Sequence, residues 1–273
     1  MKLDHIQYRL DEEVYQSKLR SIKVNDKVVF HKYLVDLLNI QSNHKVLDLG
    51  CGHGNTLLYI AEKLDKSGRA IGVDIDQSLL AVAEEFLKAE IGYGTVQLIA
   101  GDLSKPLPFK KAYFDRIVCH NVLECITDKI NFINRGYSLL KKGGIMVMSH
   151  SDWDSQIYNS SYINLSRKII HNYADTAQEW MRDCDGTIGR KLNGIFKKTK
   201  FTIFLPKTYI MVNDRFKEQD YGYRIAQDII KVAKKSGKFT EKELKMWADD
   251  LENKDKNFEY YYSNNINLII ATK

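Results

Sequence analysis

The sequence lacks the segments that would place it in a membrane or direct it out of the cell. Nowhere in its 273 residues is there an apolar run long enough to span a bilayer. The N-terminal stretch MKLDHIQYRLDEEVYQSK is charged and has no apolar centre of the kind that a signal peptide needs. We therefore expect a cytoplasmic protein without a membrane partner.

Cysteines are few and scattered. The four of them form no C-x-x-C pair and lie at Cys51, Cys119, Cys125 and Cys184. This pattern argues against a disulfide framework and against a zinc site, so we expect free thiols and no bound metal. The sequence also has no internal repeat and no low-complexity linker, and its 44% hydrophobic content suffices for a sizeable core.

The net charge of +6 is the compositional feature that points toward nucleic acid. However, the lysines are spread along the whole chain, and most alternate with carboxylates, as in KEQD, EKELK and ENKDK. Such alternation is typical of a solvated surface and not of a dedicated binding face. A nucleic acid partner is therefore disfavoured.

The segment KVLDLGCGHGNT, residues 45–56, combines a short apolar run with three glycines at alternate positions. The apolar run predicts a buried parallel strand, and an amphipathic helix follows the glycines. Glycines suit such a turn because a side chain would keep a ligand away from the backbone and because some of the positions need positive φ. The segment therefore predicts a strand, a tight turn and a helix that together cradle a small molecule.

The spacing of these glycines distinguishes between two kinds of cofactor. A dinucleotide site has the pattern G-x-G-x-x-G, but here the glycines run G-x-G-x-G, and Asn55 stands where the third would fall. With an acidic residue two positions ahead of the first glycine, the string resembles the first motif of the class I S-adenosylmethionine-dependent methyltransferases. The resemblance implies S-adenosylmethionine as cofactor and S-adenosylhomocysteine as product, with cofactor contacts at Asp48, Gly50, Cys51, Gly52 and Gly54.

Acidic residues also follow the next two predicted strands. Asp74 and Ile75 come after the strand 70–73, about twenty residues past the glycine turn, where a carboxylate accepts hydrogen bonds from the hydroxyls of a ribose. The alternative for Asp74 is a helix cap, a role that the next aspartate fits better. After the third strand, the resemblance implies that Asp102 accepts a hydrogen bond from the adenine amino group and that the backbone amide of Leu103 contacts the ring.

The fourth predicted strand, 114–120, ends at His120 and Asn121, within a string FDRIVCHNVLECI that resembles the family's next motif. The resemblance places this strand end beside the methionine part of the cofactor and its methyl group. A histidine accepts a proton near neutral pH, so His120 is the candidate general base, with a structural role in lining the pocket as the alternative. The N-P-P-[YF] and Pro-Cys motifs associated with methylation of bases are absent, which also counts against a nucleic acid acceptor.

A helix is predicted at 128–140, with Lys141 to Gly144 as its basic last turn and glycine stop, and a fifth strand follows at 145–148. The loop after this strand pairs two carboxylates with an aromatic side chain. This combination suits an amine or guanidinium acceptor, through charge and cation–π contact. An arginine further along the chain would bind a carboxylate of the acceptor or, in the interpretation that we favour, pair internally with one of the two aspartates. The predicted acceptor contacts are Asp152, Trp153, Asp154 and Arg190.

Strands and helices alternate through most of the sequence, which is typical of a doubly wound α/β fold. The resemblance implies a seven-stranded, mostly parallel, Rossmann-like sheet with an antiparallel last strand. We expect an N-terminal helical extension or lid at 1–40 and a methyltransferase domain at 41–273, with helical cap insertions at 151–188 and 213–256. The second insertion holds two predicted helices between the last two strands, and the later helix begins with a capping box at Thr240 to Glu243. Ligands of such sheets bind outside the carboxyl ends of the strands, where the predicted site residues lie.

The resemblance implies an enzyme that transfers a methyl group from S-adenosylmethionine to nitrogen or oxygen of a small molecule or short peptide. The two long insertions favour a closed pocket, and hence a small acceptor, because they are placed where they would roof the site. Methylation of RNA or protein is a second interpretation, motivated by the net charge. A cofactor-binding regulator without catalysis is a third, and an NAD(P)-linked oxidoreductase is disfavoured by the glycine spacing.

Overall fold

The computed structural model describes residues 25–177, 181 and 185–273. Most of the predicted N-terminal extension, residues 1–24, lies outside this range, as does Cys184. The helices of the described part are α1 (Asn25–Leu37), α2 (Asn55–Ala61), α3 (Gln77–Phe86), α4 (Lys88–Gly92), α5 (Lys129–Leu139), α6 (Ile163–Ala174), α7 (Ile188–Phe196), α8 (Tyr221–Ser236) and α9 (Glu241–Lys256). The strands are β1 (Lys45–Leu49), β2 (Arg69–Asp74), β3 (Val96–Ala100), β4 (Phe114–His120), β5 (Leu140–Ser151), β6 (Ile157–Tyr158), β7 (Ile203–Asn213) and β8 (Tyr262–Thr272).

The strands form one sheet in the order β3-β2-β1-β4-β5-β8, and β6 and β7 both pair with β8. The first five strands are parallel to one another, whereas β8 runs antiparallel to β5, β6 and β7. This order confirms the predicted doubly wound, mostly parallel sheet with an antiparallel last strand. The difference from seven strands is β6, a two-residue strand that continues the β5 side of β8 after a 3₁₀ turn.

The apolar runs of the parallel strands are continuous because both faces of the sheet are covered. Successive residues of β1 point to opposite sides: Val46 belongs to one buried cluster, and Leu47 belongs to another. The same division holds in β4, where Ile117 and Val118 face the two different clusters. The sheet therefore lies between two apolar layers, and its carboxyl ends are left to form a site.

One segment that resembles a helix end is instead part of a strand. Lys141 to Gly144 has the basic residues and glycines typical of a last helical turn and a glycine stop. That prediction was wrong, because β5 already begins at Leu140. The backbone N–H of Gly143 donates to the Lys273 carbonyl at 2.7 Å, and the N–H of Lys273 donates to the Gly144 carbonyl at 3.0 Å, so pairing across the sheet keeps the segment extended.

The two helices predicted between the last strands are present as α8 and α9. Helix α9 begins with the predicted capping box, in which Thr240 and Glu243 satisfy each other's backbone N–H groups. The N-terminal end of α1 is tied to α8, because the Asp26 carboxylate accepts a hydrogen bond from the backbone N–H of Tyr221 at 3.2 Å. The division into a lid, a domain and cap insertions stays a prediction.

Cys51 and Cys119 are buried free thiols, as predicted. None of the helices in residues 25–177, 181 and 185–273 combines the length and the apolarity that crossing a bilayer requires.

Candidate functional site

The glycine turn between β1 and α2 has the backbone conformation that its sequence predicts. All three glycines have positive φ, at 78° for Gly50, 50° for Gly52 and 84° for Gly54. A Cβ atom added at Gly50 would lie 2.2 Å from Cγ2 of Val122, whereas one added at Gly52 meets nothing within 4 Å. The turn is therefore closely packed behind Gly50 and open in front of Gly52, where a ligand can approach the backbone.

Asp74, at the end of β2, is held in place by the glycine turn. One oxygen of its carboxylate accepts a hydrogen bond from the Gly52 N–H at 2.8 Å, and the other accepts one from the Asp76 N–H at 3.0 Å. Asp76 itself is the N-cap of α3, as predicted, and accepts hydrogen bonds from the N–H groups of Ser78 and Leu79. Each oxygen of Asp74 has a second lone pair, so the carboxylate can also accept hydrogen bonds from a ligand.

Asp102, just after β3, is oriented by a local turn. Its Oδ1 accepts hydrogen bonds from the N–H of Ser104 at 2.9 Å and from the Ser104 hydroxyl at 2.6 Å. The ammonium of Lys105 lies 3.7 Å from Oδ2. The next peptide is fixed as well, because the Arg135 guanidinium donates to the Leu103 carbonyl at 2.6 Å.

These elements surround one cavity of about 580 Å³ at the carboxyl ends of the strands. Among the predicted cofactor residues, the cavity lining includes Gly50, Gly52, Asp74, Ile75, Asp102 and Leu103. The cavity is completed by residues that were not predicted to bind cofactor, namely Asp76, Leu79, Asn121, Val122, Cys125, Ile126 and Met181. The remaining predicted cofactor residues, Asp48, Cys51, Gly54 and His120, lie outside this lining.

Asp48 lies in β1 immediately before the glycine turn, and it is 2% exposed. Burial, and then the negative charge of Asp74, raises the pKa of its carboxyl to about 8. Its Oδ2 atom is buried and has no hydrogen-bond partner among the described residues. A buried acid that lacks a partner next to an open glycine cradle fits a site that is completed by a bound polar ligand.

His120, the candidate base, ends β4 on the side of the sheet that α1 covers. Its Nδ1 is hydrogen-bonded to the Ser149 hydroxyl at 2.8 Å, and its ring centroid lies 4.9 Å from that of Phe30 and 5.9 Å from that of His31. Burial, and then the neighbouring His31, lowers the pKa of His120 well below its ordinary value. The ring is therefore neutral at physiological pH.

Asn121, which was placed at the end of the fourth predicted strand but not among the predicted site residues, connects the ends of β4 and β5. Its side-chain carbonyl accepts a hydrogen bond from the Ser151 N–H at 2.8 Å, and its own backbone N–H donates to the Ser149 carbonyl at 3.0 Å. It has a positive φ of 52°, which asparagine tolerates better than most residues do. An asparagine directly after a buried strand is thus the signal by which this residue could have been found.

The predicted acceptor residues are engaged with one another. The Arg190 guanidinium makes two parallel hydrogen bonds to the Asp152 carboxylate, at 2.5 Å and 2.7 Å, and it lies 3.2 Å from Asp154. Trp153 is buried, and its indole N–H donates to Glu124 at 3.3 Å. The favoured internal ion pair is therefore the arrangement that the structure contains, and none of the four predicted acceptor residues belongs to the lining of the cofactor cavity.

Comparisons with known proteins agree with this geometry. The sequence profile of a family described as "Methyltransferase domain" matches residues 40–266. The ubiquinone/menaquinone biosynthesis C-methyltransferase UbiE of Pasteurella multocida is 31% identical over 146 residues, which are 52% of this chain and 54% of that protein. The chain thus spans about half the length of the curated relatives it matches.

Solved structures show the same fold. A putative methyltransferase from Bacillus halodurans superposes with a TM-score of 0.59 at 15% identity, covering 89% of this chain and 98% of that one. The YcgJ protein from Bacillus subtilis gives a TM-score of 0.57 at 16% identity, covering 89% of this chain and 97% of that one. Together, the matching profile, the sheet order and the glycine turn establish that the chain belongs to the class I S-adenosylmethionine-dependent methyltransferase family, whose cofactor is S-adenosylmethionine.

Proposed function

We propose that the protein is a cytoplasmic enzyme that transfers the methyl group of S-adenosylmethionine to nitrogen or oxygen of a small molecule or short peptide. The observation that carries this proposal is the single cavity of about 580 Å³ around which the glycine turn, Asp74 and Asp102 meet. These groups come from three separate strand ends, and a shared ligand gives a common reason for their convergence.

Each of these groups suits a different part of the cofactor. The Asp74 carboxylate is fixed by two backbone N–H groups and faces the cavity, so it would accept the ribose hydroxyls. Asp102 and the backbone of Leu103 would hold the adenine ring. The open approach at Gly52 lets the amino acid part lie against the turn, next to Asp48.

When bound, S-adenosylmethionine supplies an electrophilic methyl group on a positively charged sulfur. The displacement is in line, so the protein has to hold the acceptor atom on the order of 3 Å behind the methyl group and keep water out. The ends of β4 and β5 are joined by the hydrogen bond from the Ser151 N–H to the Asn121 side chain, and they would form a wall that helps to hold the acceptor.

His120 is the candidate proton acceptor for an acceptor hydroxyl or amine, and we propose that its contribution to the rate is small. Its lowered pKa keeps the ring neutral and able to take a proton, but the same shift makes it a weak base. The arrangement therefore favours an acceptor that ionises readily. It also supports the alternative in which His120 only positions the strand end.

We propose a structural contribution to the acceptor pocket for the loop at Asp152, Trp153 and Asp154. The charges of Asp152 and Arg190 neutralise each other, so this pair offers little attraction to an ammonium or a carboxylate of the acceptor. The loop would instead shape the pocket wall, with Trp153 packed in its buried position.

Methylation of carbon is the second candidate, favoured by the 31% identity to the ubiquinone/menaquinone biosynthesis C-methyltransferase of Pasteurella multocida. A hydroxyl-bearing aromatic ring offers both oxygen and ring carbon as acceptors. The two candidates are separated by the position of the methyl group in the product.

Calorimetric titration with S-adenosylmethionine is the first test of the proposal. Wild-type protein should bind it, and Asp74→Ala should weaken binding at least about 100-fold, as expected for the loss of paired hydrogen bonds to a charged group. Asp128→Ala is the matched control, because the Asp128 carboxylate also accepts a hydrogen bond from a backbone N–H, that of Asn131, but Asp128 caps α5 and does not line the cofactor cavity. Absence of binding by the wild type would overturn the proposal.

Product analysis on amines, phenols, carboxylates and quinols is the second test. A methylated nitrogen or oxygen supports the leading candidate, and a methylated ring carbon supports the second. Cofactor binding without any product across this panel would instead favour a regulator without catalysis.

A further inference from the structure

A second cavity, of about 280 Å³, lies beneath the loop that joins β3 to β4. Its floor and walls are apolar and come from the end of β1, from the loop and from α5. The apolar lining is formed chiefly by Leu49, Leu103, Leu107, Phe109, Phe132 and Leu139.

The cavity exists because the connection from β3 to β4 contains no helix. Parallel strands of a doubly wound sheet are commonly joined by a helix that packs on the sheet. Here Pro106 and Pro108 interrupt the segment, and proline lacks the N–H that a helix interior needs. An irregular loop therefore replaces the helix and leaves space between Leu49 of β1 and the facing side of α5.

Cations line the same cavity. Lys105, Lys111 and Arg135 all contribute to its wall, and no acidic residue does so among the residues that the structure describes there. Lys111 is exposed, and no ion pair of Lys111 occurs within the described part of the chain. An apolar interior with a positively charged rim is complementary to a molecule with an apolar body and one negative group.

The second cavity is distinct from the place where methyl transfer would occur. Leu103 lines both cavities, so the second cavity adjoins the cofactor cavity at the end where Asp102 lies. Asn121, at the end of β4, lines only the cofactor cavity. The two linings have only Leu103 in common, so a ligand beneath the loop would lie beside the cofactor cavity and not within it.

We propose that this cavity is a binding site for a small amphipathic acid, which has a short alkyl or aryl body and a single acid group. The body would fill the space between Leu49 and Phe132, and the acid would meet Lys111 and Arg135 at the rim. This site is independent of the methyl transfer proposed above. Its volume, below that of a drug-sized pocket, limits the ligand to a small molecule.

The test is calorimetric titration of the full chain with octanoate, octanol and octylammonium, alone and with S-adenosylhomocysteine in saturating amount. Octanoate should bind in both conditions, octanol more weakly and octylammonium not at all. Absence of octanoate binding would overturn the proposal, as would equal binding of all three probes. Displacement of octanoate by S-adenosylhomocysteine would also overturn it, because the acid would then occupy the cofactor cavity.

Variants of two adjacent lysines provide a matched comparison. Lys111→Gln should weaken octanoate binding about five-fold and leave octanol binding unchanged, since only the charge is lost. Lys110→Gln should alter neither, because Lys110 is exposed and does not line the cavity. Equal effects of the two changes would show that general surface charge is responsible and would overturn the assignment.

A third variant fills the space itself. Ser138 lines the cavity from α5, and Ser138→Phe should abolish binding of both octanoate and octanol while melting as one cooperative transition. Retained binding in a folded Ser138→Phe protein would contradict the location. If this variant fails to fold, the paired lysine variants still decide the proposal.

Discussion

Asp74 and Asp152 both lie at the carboxyl ends of strands in the same sheet, but their surroundings differ. Asp74 is held by two backbone N–H groups, which orient the carboxylate without neutralising it. Asp152 makes two bonds to the Arg190 guanidinium, which engages both oxygens and cancels the charge. Only Asp74 lines the cofactor cavity.

A position at the end of a strand is therefore not enough to make a carboxylate bind a ligand. Whether a carboxylate can bind a ligand depends on the kind of hydrogen-bond partner that the folded chain supplies to it. Neutral backbone donors leave charge and lone pairs available to a ligand, whereas a bidentate arginine leaves little of either.

The largest expected effect comes from the turn that holds Asp74. Gly50→Ala should weaken S-adenosylmethionine binding at least about 100-fold, because the new Cβ is strained by positive φ and clashes with Val122. Calorimetry measures the change. Gly143→Ala is the control, because Gly143 has a similar φ of 76° but nothing within 4 Å of an added Cβ. Normal binding by Gly50→Ala would show that the turn does not shape the site.

Removal of Asp152 should instead affect stability. We expect Asp152→Ala to lower the free energy of unfolding by about 2 kcal/mol, less than for a fully buried pair because the Arg190 side chain is 48% exposed. S-adenosylmethionine affinity should change less than about two-fold. Urea unfolding and calorimetry give the two values.

Asp154→Ala is the companion change for that experiment, since Asp154 contacts the same arginine but is more exposed. Asp154→Ala should lower the free energy of unfolding by less than about 1 kcal/mol. If Asp152→Ala keeps the stability of wild type but fails to turn over its acceptor, the contrast is wrong, because Asp152 would then act in the reaction and not in stability.

The protonation of Asp48 should make the stability of the protein depend on pH. Its folded pKa is raised from 3.8 to about 8, so the folded chain keeps a proton that the unfolded chain releases between these values. The contribution of Asp48 to stability therefore falls as pH rises through this window and is lost by about pH 8. Asp48→Asn lacks the penalty, so its stability advantage over wild type should grow from little at about pH 4 to as much as about 5 kcal/mol at about pH 8.

Urea unfolding of both proteins across this pH range measures the effect. The same stability difference at every pH would contradict a shifted Asp48. S-adenosylmethionine titration of Asp48→Asn in parallel tests whether the buried acid also contributes to the cofactor site.

The smallest effect is expected at His120. Because its pKa is lowered, the ring is already neutral across the physiological range, and its titration should not shape the rate there. His120→Gln should reduce turnover less than about ten-fold, and by a similar factor from about pH 6 to about pH 8. Rate profiles of both proteins measure this, and a loss above about 100-fold would assign His120 as the general base.

Local patterns predicted some elements closely and others poorly. Strand β4 occupies the predicted residues 114–120, because its apolar run is itself the signal of a buried strand. The Thr240 capping box is present because it depends on neighbouring residues only. The segment Lys141 to Gly144 was misread, since its extended shape comes from pairing with Lys273 far along the chain. Asn121 was given no role for the same reason, as its partner Ser151 lies on another strand.

The amino-acid pattern is sufficient to predict the mostly parallel sheet, the positive φ of the glycine turn and the order of acidic residues at the strand ends. Parallel strands bring those ends to one edge, so residues such as Asp74 and Asp102 meet whatever the details of packing. The folded chain is needed to show which carboxylates face the cavity and which are neutralised by an arginine. It also shows where a connection without a helix leaves a second cavity. These outcomes depend on contacts between distant segments, and such contacts have no local sequence pattern.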